Sequence, residues 1–342
     1  MKGESILLDH IRGQKVAARM IDGKLDDLLV DAGADGPPQP GTIYRAKVDR
    51  LIKGQGGIFL ALPDGAAFLR GAQGLTQGDS ILVQVTGFAE AGKAVPVSNR
   101  LLFKSKYAIV TPGAAGINIS RAIRDEEQRI RLRAAGEETD LPMEAGLILR
   151  SDAARAAPDE LAEDIAAMAD LAHALLADTE GSPECLLEGP DAHHLAWREW
   201  GQPDDIDTAQ GCLETRGALD DIEAALDPLV SLGQAMMAIE PTRALVAVDV
   251  NTQGDLSPAA GLKANLATAR DLPRHLRIRG LGGQITLDLA PLAKRDRRQF
   301  EQTLRAAFKV DPVETALVGW TPLGHFELQR KRERLPLSEV LK

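Results

Sequence analysis

Cysteine and aromatic residues are scarce in this sequence. Only two cysteines occur among 342 residues, Cys185 and Cys212, and their wide separation excludes a disulfide scaffold and any zinc site built on a CxxC motif. Aromatic residues make up 4% of the chain, so leucine, valine, isoleucine and alanine must fill its hydrophobic cores. No apolar run approaches the roughly 18 residues that span a bilayer, and the N-terminus lacks the apolar core of a secretory signal. We therefore expect a cytoplasmic protein that has no membrane partner.

Negative charge is in excess but is unevenly distributed. The formal net charge of −10 argues at first against a nucleic-acid partner, because polyanions usually bind basic proteins. Residues 152–228, however, contain 3 basic and 20 acidic residues, whereas residues 263–342 contain 16 basic and 9 acidic residues. The acidic segment is either a solvated helix surface or a sign that a polyanion binds elsewhere on the molecule. The chain of 342 residues is long enough for two or more globular domains, and its 44% of apolar residues can fill their cores.

Short strands separated by regular turns are predicted between residues 42 and 100. The apolar segments TIYRAKVDRLI, GIFLAL and AAFLRG are separated by the turns KGQGG and PDG, and SILVQVTGF follows. A breaker-rich run, GADGPPQPG at 33–41, precedes them and marks a boundary. This pattern favours a small closed β-barrel.

The C-terminal part has a β–α–β pattern with carboxylates at the strand ends. RALVAVDVN and GGQITLDLAPL are typical of buried strands, and the segment between them is typical of a crossover helix. Asp249 and Asn251 project from one face of the first strand, and Asp288 lies near the end of the second. If the strands are parallel neighbours, the two carboxylates reach the same rim, where α/β proteins form their sites. Such an oxygen-rich site suits Mg²⁺, although an aspartate in this position can also be a simple cap or turn former.

Several segments together resemble the ribonuclease E/G family over residues 1 to about 334. In the C-terminal part these segments are VDVN at 248–251, LRIRGLGG at 276–283, TLD at 286–288 and LGHFELQRKR at 323–332. In the N-terminal half they are GTIYRAKV at 41–48, GIFLAL, AAFLRG, ISRAI at 119–123 and LILRS at 147–151. The order and spacing of these segments carry the resemblance.

The resemblance implies an α/β multidomain protein. Its expected parts are a ribonuclease-H-like subdomain at 1–40 plus 191–238, an inserted OB-fold RNA-binding barrel at 41–104, a 5′-sensor region at 105–190, a deoxyribonuclease-I-like α/β catalytic subdomain at 239–334, and a tail at 335–342. The catalytic subdomain is the part that contains the β–α–β pattern and its carboxylates.

The resemblance also implies the catalytic and metal-binding residues. Asp249 and Asp288 resemble the aspartates that hold Mg²⁺, with Mn²⁺ as an alternative. Asn251 resembles the residue that orients the scissile phosphate or the attacking water. The family usually has a second aspartate three residues after the metal ligand, but Pro291 stands there in this chain, so one polar contact is missing.

Two further sets of residues are implied for RNA contacts. Phe59, Phe68 and Lys93 resemble the RNA-contacting set of the barrel, because aromatic faces stack on bases and lysine binds the backbone; the alternative is that both phenylalanines are barrel core. A pocket that senses a 5′-monophosphate corresponds to Arg121, Arg150 and Ser151. The family usually has threonine where Ser151 stands, so the hydroxyl is kept.

The resemblance predicts a magnesium-dependent endoribonuclease that cleaves single-stranded RNA, favours 5′-monophosphorylated substrates, leaves 5′-phosphate ends and acts in RNA processing or decay. The alternative is a protein of the same family that binds RNA without cutting it. Family members normally continue into a CPxC zinc element, whereas this chain ends in LPLSEVLK. We therefore expect no structural zinc, and a monomer or a dimer that zinc does not link. The basic runs ARDLPRHLRIRG, AKRDRRQ and QRKRER are either solvated surface or, as we prefer, a groove that binds the phosphate backbone.

Overall fold

A computed structural model describes residues 3–33, 36–52, 56–71, 74–90, 92–201, 203 and 205–341 of the chain. The fold is of the mixed α/β type and divides into two compact units, Met1–Gly36 with Pro203–Lys342 and Pro37–Gln202. Each unit has hydrophobic cores of its own. Within the described ranges, no helix is long and apolar enough to cross a bilayer.

Three antiparallel strands begin the first unit: β1 (Glu4–Ile11), β2 (Gln14–Ile21) and β3 (Lys24–Val30). Two-residue turns join them, and both residues of each turn have a positive φ, as in type I′ hairpins. The second turn is the Asp22-Gly23 pair, a dipeptide typical of type I′ turns. Leu7, Ala18 and Leu28 lie side by side across this meander and are buried in one core.

The second unit contains a closed five-stranded barrel, which confirms the barrel prediction. Its strands are β4 (Ile43–Ile52), β5 (Gly57–Leu62), β6 (Gly65–Arg70), β7 (Ser80–Val85) and β8 (Val95–Ser98). They pair in the order β4-β5-β6-β8-β7, and β7 pairs back to β4 to close the barrel. Aliphatic side chains such as Val48, Leu60 and Val83 fill the interior.

A four-stranded sheet with two helices follows the barrel in the same unit. The strands pair in the order β11-β12-β10-β9. The elements are β9 (Phe103–Lys104), β10 (Ala108–Thr111), β11 (Gly116–Ile119), α1 (Glu126–Glu137), β12 (Gly146–Leu149), a 3-10 helix (Ser151–Ala154) and α2 (Pro158–Ala177). α2 begins at Pro158 and buries Leu161 and Ile165, while Asp159 and Glu163 are exposed. A solvated helix face thus accounts for this part of the acidic segment.

Two more elements complete the second unit. β13 (Glu184–Leu187) pairs with β4, and α3 (Ala192–Glu199) follows it. His193 and His194 lie in the first turn of α3. The Asp191 side chain accepts a hydrogen bond of 2.8 Å from the backbone N–H of His194 and thereby caps α3.

The first unit resumes at β14 (Asp205–Asp207), which pairs in parallel with β1. The short helices α4 (Cys212–Thr215) and α5 (Ala218–Ala224) cover the meander. Burial raises the pKa of the Cys212 thiol to about 11, and Asp9 and Asp207 contribute to the increase. This thiol is therefore unreactive at neutral pH.

A six-stranded sheet forms the rest of the first unit, in the order β15-β16-β17-β18-β20-β19. The predicted β–α–β unit is present, because β17 and β18 are parallel neighbours joined by α6. Leu272 and Leu276 of α6 and Phe300 and Leu304 of α7 pack against one face of the sheet. The elements are β15 (Leu229–Ser231), β16 (Met236–Pro241), β17 (Val246–Asn251), α6 (Pro258–Ile278), β18 (Gly283–Asp288), α7 (Arg297–Val310), β19 (Thr315–Trp320) and β20 (Phe326–Arg330).

The last segment, which we interpreted as a tail at 335–342, contains a short helix, α8 (Leu337–Val340). Leu337 and Leu341 are buried in the core that β1, β2 and β3 form. The mixed α/β class and the closed barrel are confirmed. The ribonuclease-H-like and deoxyribonuclease-I-like assignments and the domain boundaries stay predictions.

Candidate active site

Two carboxylates lie side by side at the end of the parallel strand pair. In the β17–β18 register Asp249 is directly opposite Asp288, so their backbones are one strand spacing apart, about 4.8 Å. Both side chains are exposed, whereas Val248, Val250 and Leu287 beside them are buried. The carboxylates therefore project from the face of the sheet opposite to α6 and α7. The structure brings them together at one rim, as the alternation of the strands predicts.

Asn251 extends this polar row by two residues on the same face of β17. Its side-chain oxygen accepts a hydrogen bond of 2.7 Å from the backbone N–H of Gln253. Gln253 has a φ of 54°, in the left-handed region, so the bond stabilises the tight turn after the strand. The carboxamide NH₂ group is therefore the end of Asn251 that can serve a ligand, as a donor to phosphate or water.

His325 is a neighbour of Asp288 that sequence reasoning missed. The antiparallel register of β18 and β20 pairs Leu287 with Phe326, which puts His325 beside Asp288. His325 Nδ1 lies 3.3 Å from Asp288 Oδ1, an ion-pair distance, although the two atoms are not aligned for a hydrogen bond. The histidine occurs in the LGHFE segment of the resemblance, but only the pairing of two strands reveals which carboxylate it contacts.

The segment that follows Asp288 is held in place by α6. Asn265 is fully buried; its Nδ2 donates to Ala290 O over 2.9 Å, and its Oδ1 accepts from Ala290 N–H over 3.0 Å. Gly261 permits the close approach of the helix, because a Cβ atom there would lie 2.6 Å from the carbonyl oxygen of Pro291. Pro291 itself is exposed. Asn265 and Gly261, which the sequence did not single out, fix the position at which β18 ends.

The carboxylate pair fits a hydrated magnesium ion better than a fully protein-ligated metal. Across the described part of the chain, no group of three His, Cys, Asp or Glu residues could hold a metal ion. Mg²⁺ usually keeps several waters and is bound through one or two carboxylates, which Asp249 and Asp288 can supply. A structural zinc site would need four protein ligands.

Burial overturns most of the proposed phosphate-binding groove. Arg277, Arg330 and Arg334 form ion pairs with buried Asp27 and Asp311. These three arginines of the first and third basic runs therefore belong to an ionic network around buried carboxylates, because a buried charge needs a partner of opposite charge. Arg270 and Lys331 of the same runs are exposed. The middle run differs, since Lys294, Arg295 and Arg298 are exposed next to the N-terminus of α7.

Phe59 and Phe68 lie on the outside of the barrel, not in its core. They are directly opposite each other on β5 and β6, with ring centroids 5.3 Å apart and ring planes tilted by 55°. Arg50 on β4 lies opposite Phe59, and its guanidinium carbon is 4.9 Å from the ring centroid. Both rings are half-buried, which excludes the barrel-core alternative. Arg50, which the sequence did not single out, completes a row with Phe59 and Phe68. In this row the rings can stack on bases and the guanidinium can bind an adjacent phosphate.

Lys93 lies in the loop between β7 and β8, not on the strands that carry Arg50, Phe59 and Phe68. Its side chain is 67% exposed, and Nζ lies 2.5 Å from the Glu90 carboxylate. The ammonium group is therefore accessible, but it already has an acidic neighbour that a phosphate would have to replace.

The three predicted sensor residues follow two strands that end at the same edge of the four-stranded sheet. β11 and β12 are parallel, with Ile119 opposite Leu149, so their carboxyl ends lie at the same edge. Arg121 follows the first strand, and Arg150 and Ser151 follow the second. Arg121 and Ser151 are exposed.

Arg150 is already engaged at this edge. Its Nη1 donates to Ser105 O over 2.7 Å and to Arg198 O over 3.3 Å, and its Nη2 binds the Glu199 carboxylate. Burial alone raises the pKa of Glu199, but the attraction of Arg150 and Arg198 outweighs it and lowers that pKa overall. Glu199 is thus an anionic partner of Arg150 at neutral pH.

Comparison with known proteins places this chain among ribonucleases. The sequence profile of the Ribonuclease E/G family matches residues 103–208 and 205–333. Ribonuclease G of Salmonella typhimurium (strain SL1344) is 25% identical over 88% of this chain and 74% of that protein. Ribonuclease E of Nostoc sp. (strain PCC 7120) is 25% identical over 95% of this chain and 56% of that protein, so the chain spans little more than half the length of that relative. Ribonuclease G of Escherichia coli (strain K12) is 24% identical over 88% of this chain and 74% of that protein. The matched residues cover well over half of the sequence, and the chain belongs to the ribonuclease E/G family.

Proposed function

We propose that this chain is a magnesium-dependent endoribonuclease that cleaves single-stranded RNA during processing or decay. The observation that carries the proposal is the register of Asp249 and Asp288, which aligns two exposed carboxylates on an open face of the sheet. Membership of the ribonuclease E/G family supplies the reaction class, since its relatives are named Ribonuclease G and Ribonuclease E.

In the proposed reaction Asp249 and Asp288 hold the metal ion and His325 orients the Asp288 carboxylate. Mg²⁺ at this position supplies positive charge to the scissile phosphate and promotes the ionisation of water. The NH₂ group of Asn251 donates to a phosphate oxygen or to the attacking water. Attack of water on phosphorus breaks the bond to the 3′ oxygen, which leaves as a 3′-hydroxyl, and the phosphate remains on the 5′ end of the other product.

RNA is proposed to bind the outer face of the barrel through the row of Arg50, Phe59 and Phe68. Each base stacked on an aromatic ring contributes about 1–3 kcal/mol, and the guanidinium of Arg50 adds charge for the adjoining phosphate. Lys93 supplies a second cation in the loop between β7 and β8. Stacking needs no particular base, so this surface suits unstructured RNA of many sequences.

A preference for 5′-monophosphorylated RNA is proposed to come from Arg121, Arg150 and Ser151. Their common position at the carboxyl ends of β11 and β12 supports this assignment. Arginine can bind phosphate through two parallel N–H bonds, and a serine hydroxyl adds a third donor.

Cleavage of an end-labelled, unstructured RNA in Mg²⁺, with EDTA as the blank, tests the proposal. We expect the double variant Asp249→Asn, Asp288→Asn to lose cleavage, while the variant Asp271→Asn, which alters an exposed aspartate on α6, keeps it. Equal cleavage by the wild type and the double variant would sink the enzymatic assignment. The same RNA with a 5′-hydroxyl tests the end preference, which is wrong if both RNAs are cleaved at one rate.

A non-cleaving RNA-binding protein is the second candidate. What favours it is Pro291 at the position of the family's second aspartate, together with a carboxylate pair that has no third acidic or histidine ligand among the described residues. RNA binding in EDTA with no cleavage in Mg²⁺ or Mn²⁺ would support this candidate. Measurement of the particle size in solution, with and without RNA, tests whether the chain is a monomer or a dimer that zinc does not link.

A further inference from the structure

Two arginines and a histidine meet near the C-terminal end of α6. Arg279 Nη1 lies 2.9 Å from His275 Nδ1, and Arg274 Nη2 lies 3.4 Å from His275 Nε2. Neither arginine has an ion pair among the residues that the structure describes, whereas Arg277 on the same helix pairs with three aspartates. We call the side chains of Arg274, His275 and Arg279 the α6 cluster.

The ring of His275 can accept a hydrogen bond from only one of the two guanidinium groups. Burial and the charges of Arg274 and Arg279 lower the pKa of His275 to about 3, so the imidazole is neutral at physiological pH and has one lone pair and one N–H group. The shorter contact assigns the lone pair to Nδ1, which accepts from Arg279, because the opposite tautomer would put two donors only 2.9 Å apart. The proton is then on Nε2, and this N–H group and Arg274 Nη2 are two donors 3.4 Å apart. One acceptor beside them would satisfy both.

Backbone carbonyls hold both guanidinium groups in place but supply no charge. Arg274 Nη1 donates to Leu25 O, and Arg279 Nη2 donates to Asp227 O over 3.0 Å. Arg279 is 6% exposed, and its Nε has no hydrogen-bond acceptor among the described residues. Burial and the charge of Arg274 lower the pKa of Arg279 to about 10, so its guanidinium stays positive at neutral pH. The cluster is therefore a fixed and partly buried positive charge.

The nearby negative charges offset only part of this positive charge. The free carbonyls at the C-terminus of α6, which ends at Ile278, amount to about half an elementary charge, against two for the guanidinium groups. Asp227 attracts Arg279 and so limits the decrease of its pKa, but its exposed carboxylate accepts from the backbone N–H of Leu229 over 2.8 Å. The remaining excess of positive charge favours an anionic ligand.

The position of the cluster favours a small anion over an RNA strand. Arg274 and His275 are partly exposed, so a ligand approaches from their side, whereas Arg279 is buried. α6 covers the face of the six-stranded sheet opposite to the one from which Asp249 and Asp288 project. An RNA strand at those carboxylates therefore lies on the other side of the sheet.

We propose that the α6 cluster binds a small phosphate-bearing anion, whose oxygens accept from Arg274 Nη2 and His275 Nε2–H. Arg279 binds the other ring nitrogen and thereby fixes the tautomer that presents this N–H group. The anion gives both donors an acceptor and neutralises part of the charge at the end of α6. The site is distinct from the proposed catalytic carboxylates and does not depend on the proposed ribonuclease activity.

The experiment titrates inorganic phosphate into the full chain at constant ionic strength and follows the histidine ring signals of ¹⁵N-labelled protein by NMR. His275→Gln identifies the signal of this residue among the 6 histidines. We expect a saturable shift of the His275 signal, while the exposed His173 on α2 shows none. The bound anion favours the imidazolium form, so the pKa of His275 should also rise in saturating phosphate. Because the wild type is measured, a folding defect cannot imitate a negative result.

Arg274→Met should weaken phosphate binding about tenfold, as expected for the loss of one hydrogen bond between charged groups. Arg270→Met removes an exposed arginine one turn earlier on α6 and is the matched control, with unchanged affinity expected. A short 5′-hydroxyl RNA in EDTA tests the other source of phosphate and should leave the His275 signal in place. An RNA that shifts this signal would overturn the assignment to a small anion. An unmoved His275 signal in phosphate, or equal affinities of the two arginine variants, would overturn the site.

Discussion

Asp288 and His325 lie 3.3 Å apart, Oδ1 to Nδ1, where β18 ends and β20 begins. Asp288 is the more exposed partner, with 66% of its side chain accessible against 34% for His325. A histidine that contacts a metal-binding carboxylate can fix its orientation without touching the metal itself. The pair therefore defines a positioning role for His325 in the proposed metal site.

We expect His325→Ala to lower the cleavage rate about 10- to 100-fold at limiting Mg²⁺, the range typical of lost partners of metal ligands. The measurement is a Mg²⁺ titration of the cleavage rate, in which the variant should need more metal to reach half of its maximal rate. Gln329→Ala, on the exposed face of β20, is the control. An unchanged Mg²⁺ requirement would show that His325 does not orient Asp288.

Gly57 is expected to be essential for the aromatic row of the barrel. A Cβ atom at this position would lie 2.2 Å from Cζ of Phe68, so Gly57→Ala must displace that ring. RNA affinity should fall by about 1–3 kcal/mol, as for loss of one stacking platform. A double-mutant cycle with Phe68→Leu checks the cause: the second change should add little once the first is present. Fully additive losses would contradict this coupling.

Asn265 is expected to stabilise the segment after Asp288 through its two hydrogen bonds to Ala290. Asn265→Ala leaves a buried backbone N–H and C=O without partners, which should lower the free energy of unfolding by about 1–3 kcal/mol for each group. Cleavage should fall as well, because the end of β18 positions Asp288. The exposed Asn118→Ala makes the same chemical change elsewhere and should affect neither urea denaturation nor activity. Equal stability of both variants would contradict the role.

The buried ion pair of Asp27 and Arg334 is expected to dominate acid sensitivity. Burial raises the pKa of Asp27, but Arg334 and Arg277 outweigh it, so the pKa is lowered overall. A lowered pKa stabilises the fold above the ordinary range of aspartate, near 4, and this contribution is lost as the pH falls through the folded-state pKa. Asp27→Asn should cost about 3–5 kcal/mol at neutral pH and flatten the acid limb of the stability curve.

The matched control is the more exposed pair of Arg19 and Glu4, whose atoms lie 2.7 Å apart. Glu4→Gln should change the free energy of unfolding by about 0–1 kcal/mol, because water screens such pairs. Urea denaturation across the acid range measures both variants. Similar costs for the two pairs would show that burial does not set the strength of the Asp27–Arg334 contact.

The sequence predicted those parts of the site that depend on neighbouring elements of the chain and on the alternation of side chains within a strand. Strand alternation and one crossover helix suffice to bring Asp249 and Asp288 to the same rim, and two parallel strands do the same for Arg121 and Arg150. His325 was missed because its position depends on the antiparallel pairing of β18 with β20.

Charge counting misjudged the basic runs for a related reason. A run of arginines has the same appearance in sequence whether the side chains face solvent or buried carboxylates. Arg330, for example, is only 2% exposed, because it forms an ion pair with Asp311. The contact of the Lys106 ammonium with the ring of Trp197 is equally hidden in the sequence, because the residues around Trp197 are acidic and Lys106 lies 91 positions away.

The ion pairs of Arg277, Arg330 and Arg334 also affect the salt dependence of the proposed RNA complex. Each phosphate that a cation neutralises releases counterions and makes the slope of log affinity against log ionic strength more negative by about 0.7 for a single strand. Guanidinium groups that already neutralise Asp27 and Asp311 release none. The slope should therefore be shallower than the basic composition of residues 263–342 indicates, and stacking should keep RNA bound as ionic strength rises.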